Sequence, residues 1–570
     1  MPALQRFRFL TAVIPVAVTL GVALAGPAGA ASDLGRLEFP TSASPAAQAH
    51  FLRGVGALHN FWYDEAADEF RAAEKSEPGF ALAYWGEAMT ANHPVWGEED
   101  LDAARAALAR LGDTPAARAA KAPTERERAW LAAVETLYGE GDKPARDRAY
   151  AAAMRQLHER YPDDLEAGSF YALSLIGPAW ASDGATFGEP RERVLMRAAA
   201  ALEELFAKNP QHPGVAHYLI HAYDDPVHAP LGLRAARVYA QIAPAAYHAL
   251  HMPSHIFVQL GRWDDVAASN EASWAASVAW TERRGLGVEK RDFHSLTWLA
   301  YAYLQQGRYA KARETIETAR RAAAESPIPR VAGALDAIEA RVWTETRAWD
   351  EAKLPPAPPP PASGAPAAAG EAAAQHCQSP AISATVRGGD SGSRVFAAGL
   401  AAARRGDAAT AGAAIARLQA LPKGGRYSYG GDVLALMEKE ISGLLKLSGG
   451  SPQDRQAGLA LLAEAAQAEA AMTPPSGPPE PLVPALELYG EALLQAGQPD
   501  AAAQQFQRAL LRTPNRPAAL LGAARAAARL GHADEARERY AALAAIWHQA
   551  DSGLPEVAEA RAHGGEVRGR

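Results

Sequence analysis

The chain of 570 residues is long enough for two or more domains or for one extended repeat array. Its formal net charge of −8 comes without a basic stripe, so nothing in the charge pattern supports nucleic-acid binding. The single cysteine, Cys377, excludes an intramolecular disulfide framework and a thiolate-rich metal site.

Residues 1–30 have the pattern of a secretion signal. Arg6 and Arg8 precede an apolar run over residues 9–25, and residues 28–30 offer a small-residue cleavage site. No later stretch is apolar for long enough to span a bilayer. We therefore expect a periplasmic or secreted protein with no membrane span after signal removal. An uncleaved anchor is the alternative.

Residues 47–78 begin a series of related units. The same frame recurs 34 residues later, at residue 81, and the unit at 213–244 is again followed 34 residues on, at 247. The landmarks of the first unit are Gly54, Tyr63, Ala66, Phe70, Ala73 and Pro78. Those of the last two units are Gly490, Ala502, Phe506, Ala509 and Pro514, then Ala524, Gly531 and Ala536.

This spacing resembles the tetratricopeptide repeat over most of the mature chain. The resemblance implies an all-α solenoid of stacked antiparallel helix pairs with a concave groove, and protein–protein scaffolding as the usual role. Residues 354–394 turn to Pro, Ala, Gly and Ser, a composition that predicts a flexible linker. We predict an N-terminal array over 31–353 and a C-terminal array over 395–570. A second Pro-rich segment spans residues 472–484.

Histidines are concentrated between residues 212 and 255, where seven of the 16 in the chain fall. His217 and His221 are four residues apart, as are His251 and His255. On a helix this spacing places two imidazoles on one face, where they can share a metal ion. Pro253 lies between the second pair, and we expect it to be a variation of the repeat rather than a device that re-aims His251.

The repeat register assigns these histidines to the groove. The first helix of a unit packs through positions 4, 7, 8 and 11, so positions 2, 5, 9, 12 and 13 face the concave side. The predicted metal ligands at such positions are His217, His221, His248, His251, His255, His294, Asp224 and Asp225. Further candidate groove ligands are His59, His93 and Glu166. His212 and His228 are expected on the solvated surface.

Nitrogen and oxygen donors without thiolates predict a transition metal such as copper, zinc or iron. A polar groove without metal is the alternative. The metalloprotease string HExxH is absent from His217–His221, and Glu166 is the nearby groove carboxylate able to act as a base. Trp85 and Tyr301 are predicted to face a ligand.

Three functions remain open at this point. The leading hypothesis is an exported metal-binding solenoid, with a metal-dependent hydrolase or oxidoreductase acting on a small substrate as its catalytic version. A scaffold for a peptide or protein partner is the second, and metal storage or delivery is the third. The strings HYLIHAYDDP and HMPSHIF are similar to those of exported bacterial tetratricopeptide proteins, from which no activity carries over.

Overall fold

The computed structural model describes residues 33–181, 185–356, 392–421 and 431–565, and these ranges are built from α-helices. The strands found there are two short antiparallel pairs, Asn92–His93 (β1) with Glu98–Glu99 (β2) and Ala185–Thr186 (β3) with Glu189–Pro190 (β4). The predicted all-α solenoid is confirmed. The predicted signal and residues 357–391 of the predicted linker, with Cys377, lie outside the described residues.

The N-terminal helices pack mainly against their neighbours in sequence. They are α1 (Pro45–His59), α2 (Tyr63–Ser76), α3 (Ala81–Met89), α4 (Leu101–Leu111), α5 (Pro115–Ala119), α6 (Glu125–Leu137), α7 (Lys143–Arg160), α8 (Leu165–Ala181), α9 (Arg191–Lys208), α10 (Pro213–Ala222), α11 (Ala229–Ile242), α12 (Tyr247–His251), α13 (Pro253–Gln259), α14 (Trp263–Arg284), α15 (Phe293–Gln305), α16 (Tyr309–Glu325) and α17 (Pro329–Glu345). Short 3₁₀ turns cover Pro94–Trp96 and Val288–Lys290.

The C-terminal helices continue the same hairpin pattern. They are α18 (Gly392–Arg404), α19 (Ala408–Ala420), α20 (Gly431–Ser448), α21 (Pro452–Ala471), α22 (Ala485–Gln495), α23 (Pro499–Arg512), α24 (Pro517–Arg529), α25 (Ala533–Ile546) and α26 (Pro555–Gly564).

Small residues allow the helices of each hairpin to approach closely. A Cβ added at Gly54 of α1 would lie 2.7 Å from the ring of Phe70, and one at Gly86 of α3 would collide with the same ring. Phe506 near the C-terminus sits in the same way against Gly490 and Gly522. At each end of the molecule, a buried phenylalanine therefore packs between two glycines. This packing explains why the repeat spacing needs these residue types.

The turn inside several hairpins requires a left-handed residue. Glycine supplies it with φ between +63° and +77°, at Gly261, Gly307, Gly406, Gly497 and Gly531. Phe61 and Arg347 occupy the equivalent position two residues before the second helix or turn, with φ of +52° and +56°. This backbone conformation is sterically unfavourable for residues other than glycine, so the presence of Phe61 and Arg347 in these two turns needs a separate explanation.

The C-terminal helices contact the N-terminal ones at several points. One hydrophobic cluster contains Trp343 of α17 and Phe396 of α18. The indole of Trp547 donates a hydrogen bond to the carbonyl oxygen of Gln305 at 3.0 Å, and that of Trp263 donates to the carbonyl oxygen of Asn515 at 3.0 Å. The two groups of helices are therefore packed on one another, which bears directly on the groove between them.

Among the described helices, none combines the length and apolar character needed to cross a membrane.

Candidate metal centre

Helix α10 and helix α12 bring three histidines together as a first triad, His217, His221 and His248. The Nε2 atom of His217 lies 3.1 Å from Nε2 of His221, one helical turn away. It lies 3.1 Å from Nε2 of His248 as well, which comes from the next hairpin. Three ring nitrogens thus converge on one point from two helices.

A second triad consists of His251, His255 and His294. Helix α12 ends at His251 and α13 begins at Pro253, so the proline breaks the helix between the two ligands. The Nε2 atoms of His251 and His255 lie 3.1 Å apart, and the His294 ring centroid is 4.5 Å from that of His251. In each triad the three candidate ligand atoms lie within 4.8 Å of one another. Met252 between the two helices keeps helical dihedral angles, and the His251–His255 spacing equals that of His217 and His221, so a re-aiming role of the proline stays an open alternative.

Hydrogen bonds on the far side of the rings set their orientation. His217 donates from Nδ1 to the carbonyl oxygen of His59, His251 to Oδ1 of Asn270 and His255 to Oδ2 of Asp224, each at 2.7 Å. Asn270 itself donates to the carbonyl oxygen of Val266 at 2.8 Å, which leaves its Oδ1 as the acceptor. With Nδ1 protonated, each neutral ring presents a lone pair at Nε2 towards its triad.

The nitrogen spacing fits a shared ion. Metal–nitrogen bonds of about 2.0–2.1 Å in a tetrahedral site place neighbouring ligand nitrogens roughly 3.3 Å apart. The observed separations of 3.1 Å are close to that value. Two ligand pairs of the first triad and one pair of the second therefore have the spacing of nitrogens that share an ion, and the third imidazole of the second triad lies within 4.8 Å of its pair.

Burial keeps these imidazoles uncharged. Removal from water lowers the pKa of His217 to about 3, and it holds the pKa of His221, His248, His251 and His294 well below 6.5. Neighbouring histidines add to the effect by like-charge repulsion. The neutral ring is the form that binds metals, so these five imidazoles are in the ligand form at neutral pH.

Aromatic side chains cover both triads. The Phe61 ring centroid is 4.3 Å from that of His217 and 5.6 Å from that of His248. Trp298 of α15 lies over the second triad, 4.5 Å from His255. Phe61 and Trp298 are 2% exposed, so water is largely excluded from these faces of the site.

A third cluster contains His59, Glu166 and His212, all fully buried. Nε2 of His59 and of His212 lie 2.6 and 3.1 Å from the Glu166 carboxylate. Although burial alone would raise it, the contacts with His212 and His59 hold the pKa of Glu166 well below its usual value. Tyr218 bonds Nδ1 of His59 at 2.9 Å, so hydrogen bonds already satisfy this cluster.

Several residues that were predicted to face the groove lie away from the triads. Trp85 is buried among Phe39, Trp130 and Phe170 in the core, because the N-terminal segment and helices α6 and α8 fill the concave side there. The prediction that Trp85 faces a ligand is therefore wrong. Tyr301 is buried too, and its hydroxyl receives a hydrogen bond from Arg516 at 3.1 Å.

The other polar residues that the sequence singled out contact side chains outside the triads or support them from behind. His93 stacks on Tyr63, with ring centroids 4.0 Å apart. Asp225 contacts His228 at 2.7 Å, and Asp224 supports His255 rather than pointing at a triad. His212 was expected in solvent and is 0% exposed, because Glu166 supplies it with a buried acceptor.

The Pro-rich segment, residues 472–484, lies against the second triad. Gln259 of α13 donates to the carbonyl oxygen of Pro475 at 2.9 Å and to Oδ1 of Asp224 at 3.2 Å. A Cβ added at Gly477 would collide with the indole of Trp298. The concave side at this point is thus occupied by the chain itself, next to the side chains that orient His255.

Sequence reasoning missed Phe61, Trp298, Asn270 and Gln259. A usable signal existed for Phe61, because the equivalent turn position holds glycine in other units. Asn270 and Gln259 act through hydrogen bonds between separate hairpins, and repeat spacing alone carries no information about such pairs.

Comparison with known proteins identifies a tetratricopeptide-repeat match over residues 493–562. Among curated proteins, none matches the chain. The solved structure of yeast Tom70 is similar over 86% of this chain and 90% of that chain, at 9% identity and a TM-score of 0.31. The human IFIT1 dimer with m7Gppp-AAAA is similar over 90% and 92%, at 12% identity and a TM-score of 0.35. Similarities this distant carry no argument about function.

Proposed function

We propose that this tetratricopeptide-repeat protein binds transition-metal ions at the first and second triads. The contact between His251 and His255 carries the proposal. Both rings donate from Nδ1, so in their neutral forms two bare Nε2 lone pairs face each other at 3.1 Å. Only a cation between them relieves that repulsion.

The cation is either a proton or a metal ion. A proton links two nitrogens, whereas the site brings a third imidazole, His294, within 4.8 Å of both. A metal ion uses all three donors. The first triad favours a metal ion as well. Nε2 of His217 has a single lone pair but lies 3.1 Å from two other imidazole nitrogens, so a hydrogen bond to one of them leaves the other contact unexplained.

The donor set narrows the class of metal. Copper, zinc and iron all accept imidazole, while iron sites commonly include a carboxylate. Asp224 is engaged with His255 and Glu166 with His59 and His212, so both triads consist of neutral nitrogen donors. This composition favours copper or zinc. The predicted secretion signal would place the centre in the periplasm or outside the cell.

The repeat fold itself supports a second candidate, a scaffold for a protein or peptide partner. Tetratricopeptide hairpins present extended surfaces suited to that role. The Pro-rich segment lies against the helices, through the bond from Gln259 to the carbonyl oxygen of Pro475 and one from Arg341 to the carbonyl oxygen of Pro479 at 2.9 Å. The helices therefore present side-chain donors that hold the backbone of a chain segment.

Elemental analysis of full-length protein purified without a histidine tag tests the first candidate. We expect up to two transition-metal ions per chain, and replacing both His251 and His255 by alanine should remove the ion of the second triad. The surface substitution His228→Gln is the matched control and should retain the metal. Protein that contains no metal and takes none up at micromolar concentration would refute the proposal.

The two candidates respond differently to the same variants. If the triads serve only as metal ligands, His217→Ala with His221→Ala abolishes metal binding at the first triad and leaves affinity for a partner mostly intact. If the histidines serve a partner directly, affinity for the partner falls whether or not a chelator is present.

A further inference from the structure

The two triads are not separate sites. Helix α12 contributes His248 to the first and His251 to the second, three residues apart. Ring centroids of His221 and His255, one from each triad, are 6.2 Å apart, and those of His248 and His251 are 6.3 Å apart. These separations are no larger than the 6.4 Å between His255 and His294 within the second triad. Six imidazoles therefore form one cluster.

We propose that this cluster is a dinuclear copper centre that binds dioxygen between its two ions. The inference rests on the metal binding proposed above and adds the identity of the metal, the pairing of the ions and their ligand. Two-metal sites act on a shared ligand when the ions are about 3.5–4 Å apart. Ring centroids only 6.2–6.3 Å apart across the two triads leave room for two ions at that spacing.

The charge of the site argues for copper. The six imidazoles bring no negative charge themselves, and Asp224 behind His255 adds one carboxylate, so two buried divalent ions would leave about three positive charges out of water. Two copper(I) ions would leave two fewer. Divalent copper also leads the affinity order of first-row metals for nitrogen donors. Zinc has no monovalent state with which to lower the charge.

Three protein ligands leave each ion a position for a further ligand, as in other metal sites that bind small molecules. Dioxygen is a ligand that two copper(I) ions can hold without any other reactant. Each copper(I) gives up one electron and dioxygen gains two, and no proton is transferred. Release of dioxygen returns both electrons to the copper ions.

The surroundings suit such a ligand. The rings of Phe61 and Trp298 lie over the two triads and are 2% exposed. The side chain of His255 is 13% exposed and is the member of the triads that is not fully buried. An apolar cover of this kind favours an apolar ligand such as dioxygen over charged or bulky solutes.

Copper loading of the full-length protein provides the test. We expect two copper ions per chain, uptake of one dioxygen per chain by the reduced protein, and an oxidised form whose paired copper(II) ions give almost no electron paramagnetic resonance signal. His294→Ala removes one ligand of the second triad. It should leave one copper(II) per chain with an ordinary signal, and no dioxygen uptake. His228→Gln should behave like the unchanged protein.

The outcomes separate this inference from the metal-binding proposal. Two copper ions with two ordinary, uncoupled signals and no dioxygen uptake would overturn the paired centre while leaving metal binding in place. Failure to bind copper or any other metal would overturn both. Should His294→Ala fail to fold, the spin count of the unchanged protein decides the question by itself.

Discussion

Phe61 is the residue whose conformation and position together point to the site. Its backbone occupies the left-handed region that glycine occupies in the equivalent turns of other hairpins, at a cost of roughly 1–3 kcal/mol. Its ring packs against His217 and His248 of the first triad. In exchange for this strain the turn places an aromatic ring against triad histidines that glycine would leave uncovered.

Phe61→Gly should therefore separate the backbone strain of the turn from the contact between the ring and the first triad. Loss of the buried ring should outweigh the relaxed backbone and lower the free energy of unfolding by roughly 2–4 kcal/mol. Metal in the first triad should exchange with a chelator faster than in the unchanged protein, as measured by stopped-flow absorbance. Arg347→Gly relaxes the same turn position away from the histidines, where Arg347 pairs with Glu491. This control should leave metal exchange unchanged, and equal exchange rates in both variants would contradict the argument.

The buried histidines also predict how stability depends on pH in the metal-free protein. Folding lowers the pKa of His217 from 6.5 to about 3, so below pH 6.5 the unfolded chain binds more protons than the folded one. His221, His248, His251 and His294 shift in the same direction. The contribution of these histidines should be present in full above pH 6.5 and be lost as the pH decreases below it, whereas Glu487, whose pKa folding raises to about 7, contributes with the opposite sign.

Urea unfolding between pH 7 and pH 5 measures this slope, above the range where ordinary carboxylates titrate. Replacing His221 and His248 by glutamine should flatten it, because those two groups no longer gain protons on unfolding. His228→Gln again serves as the control. A slope that is unchanged by the double substitution would show that the triads do not resist protonation.

At the level of elements, the Pro-rich segment packs against side chains that surround the second triad. Gly477 lies so close to Trp298 that a methyl group cannot be added without displacing one of them. Overpacking of this kind typically costs about 1–3 kcal/mol. Gly477→Ala should therefore move the segment away from Trp298 and speed the removal of metal from the second triad by a chelator.

Gly412 gives a matched control for that substitution. It lies on an exposed face of α19 with open space around it, so Gly412→Ala should be neutral or stabilise by about 1 kcal/mol through helix propensity. Its metal exchange should equal that of the unchanged protein. If Gly477→Ala behaves in the same way, the segment does not cover the site.

Helix periodicity was sufficient to predict which histidines share a side. Spacings of three and four residues, placed in the repeat register, brought His217 with His221 and His251 with His255, and both pairs meet in the structure. The same register misplaced Trp85, because position 5 faces a groove only where nothing packs inside the curve. Near α3, the core formed by Trp130 and Phe170 occupies that space. Such filling depends on contacts distant in sequence, which a repeat pattern does not encode.

At the scale of the whole molecule, a buried ion network joins the two groups of helices. Arg516, which precedes α24, contacts Glu345 of α17 at 2.8 Å and Glu487 of α22 at 2.7 Å. Burial raises the pKa of Glu487 to about 7, while Arg516 opposes the shift. Removing the arginine would leave two buried carboxylates without their cation, a change that typically costs 3–5 kcal/mol.

Limited proteolysis can cut the chain within the predicted linker, residues 354–394. The sequence leads us to expect the first proteolytic cut there. The two fragments should nevertheless stay together on size-exclusion chromatography, held by Arg516 and by the bonds from Trp263 and Trp547. In Arg516→Ala they should separate, whereas Arg525→Ala, which removes a pair with Glu559 inside the C-terminal helices, should leave them associated.

The separated N-terminal fragment contains all six triad histidines and should still bind metal. The fragment should lose this metal faster than the whole protein does, because the Pro-rich segment has left with the other fragment. Fragments that separate without any substitution would show that the contacts between the two groups of helices are too weak to keep the second triad covered.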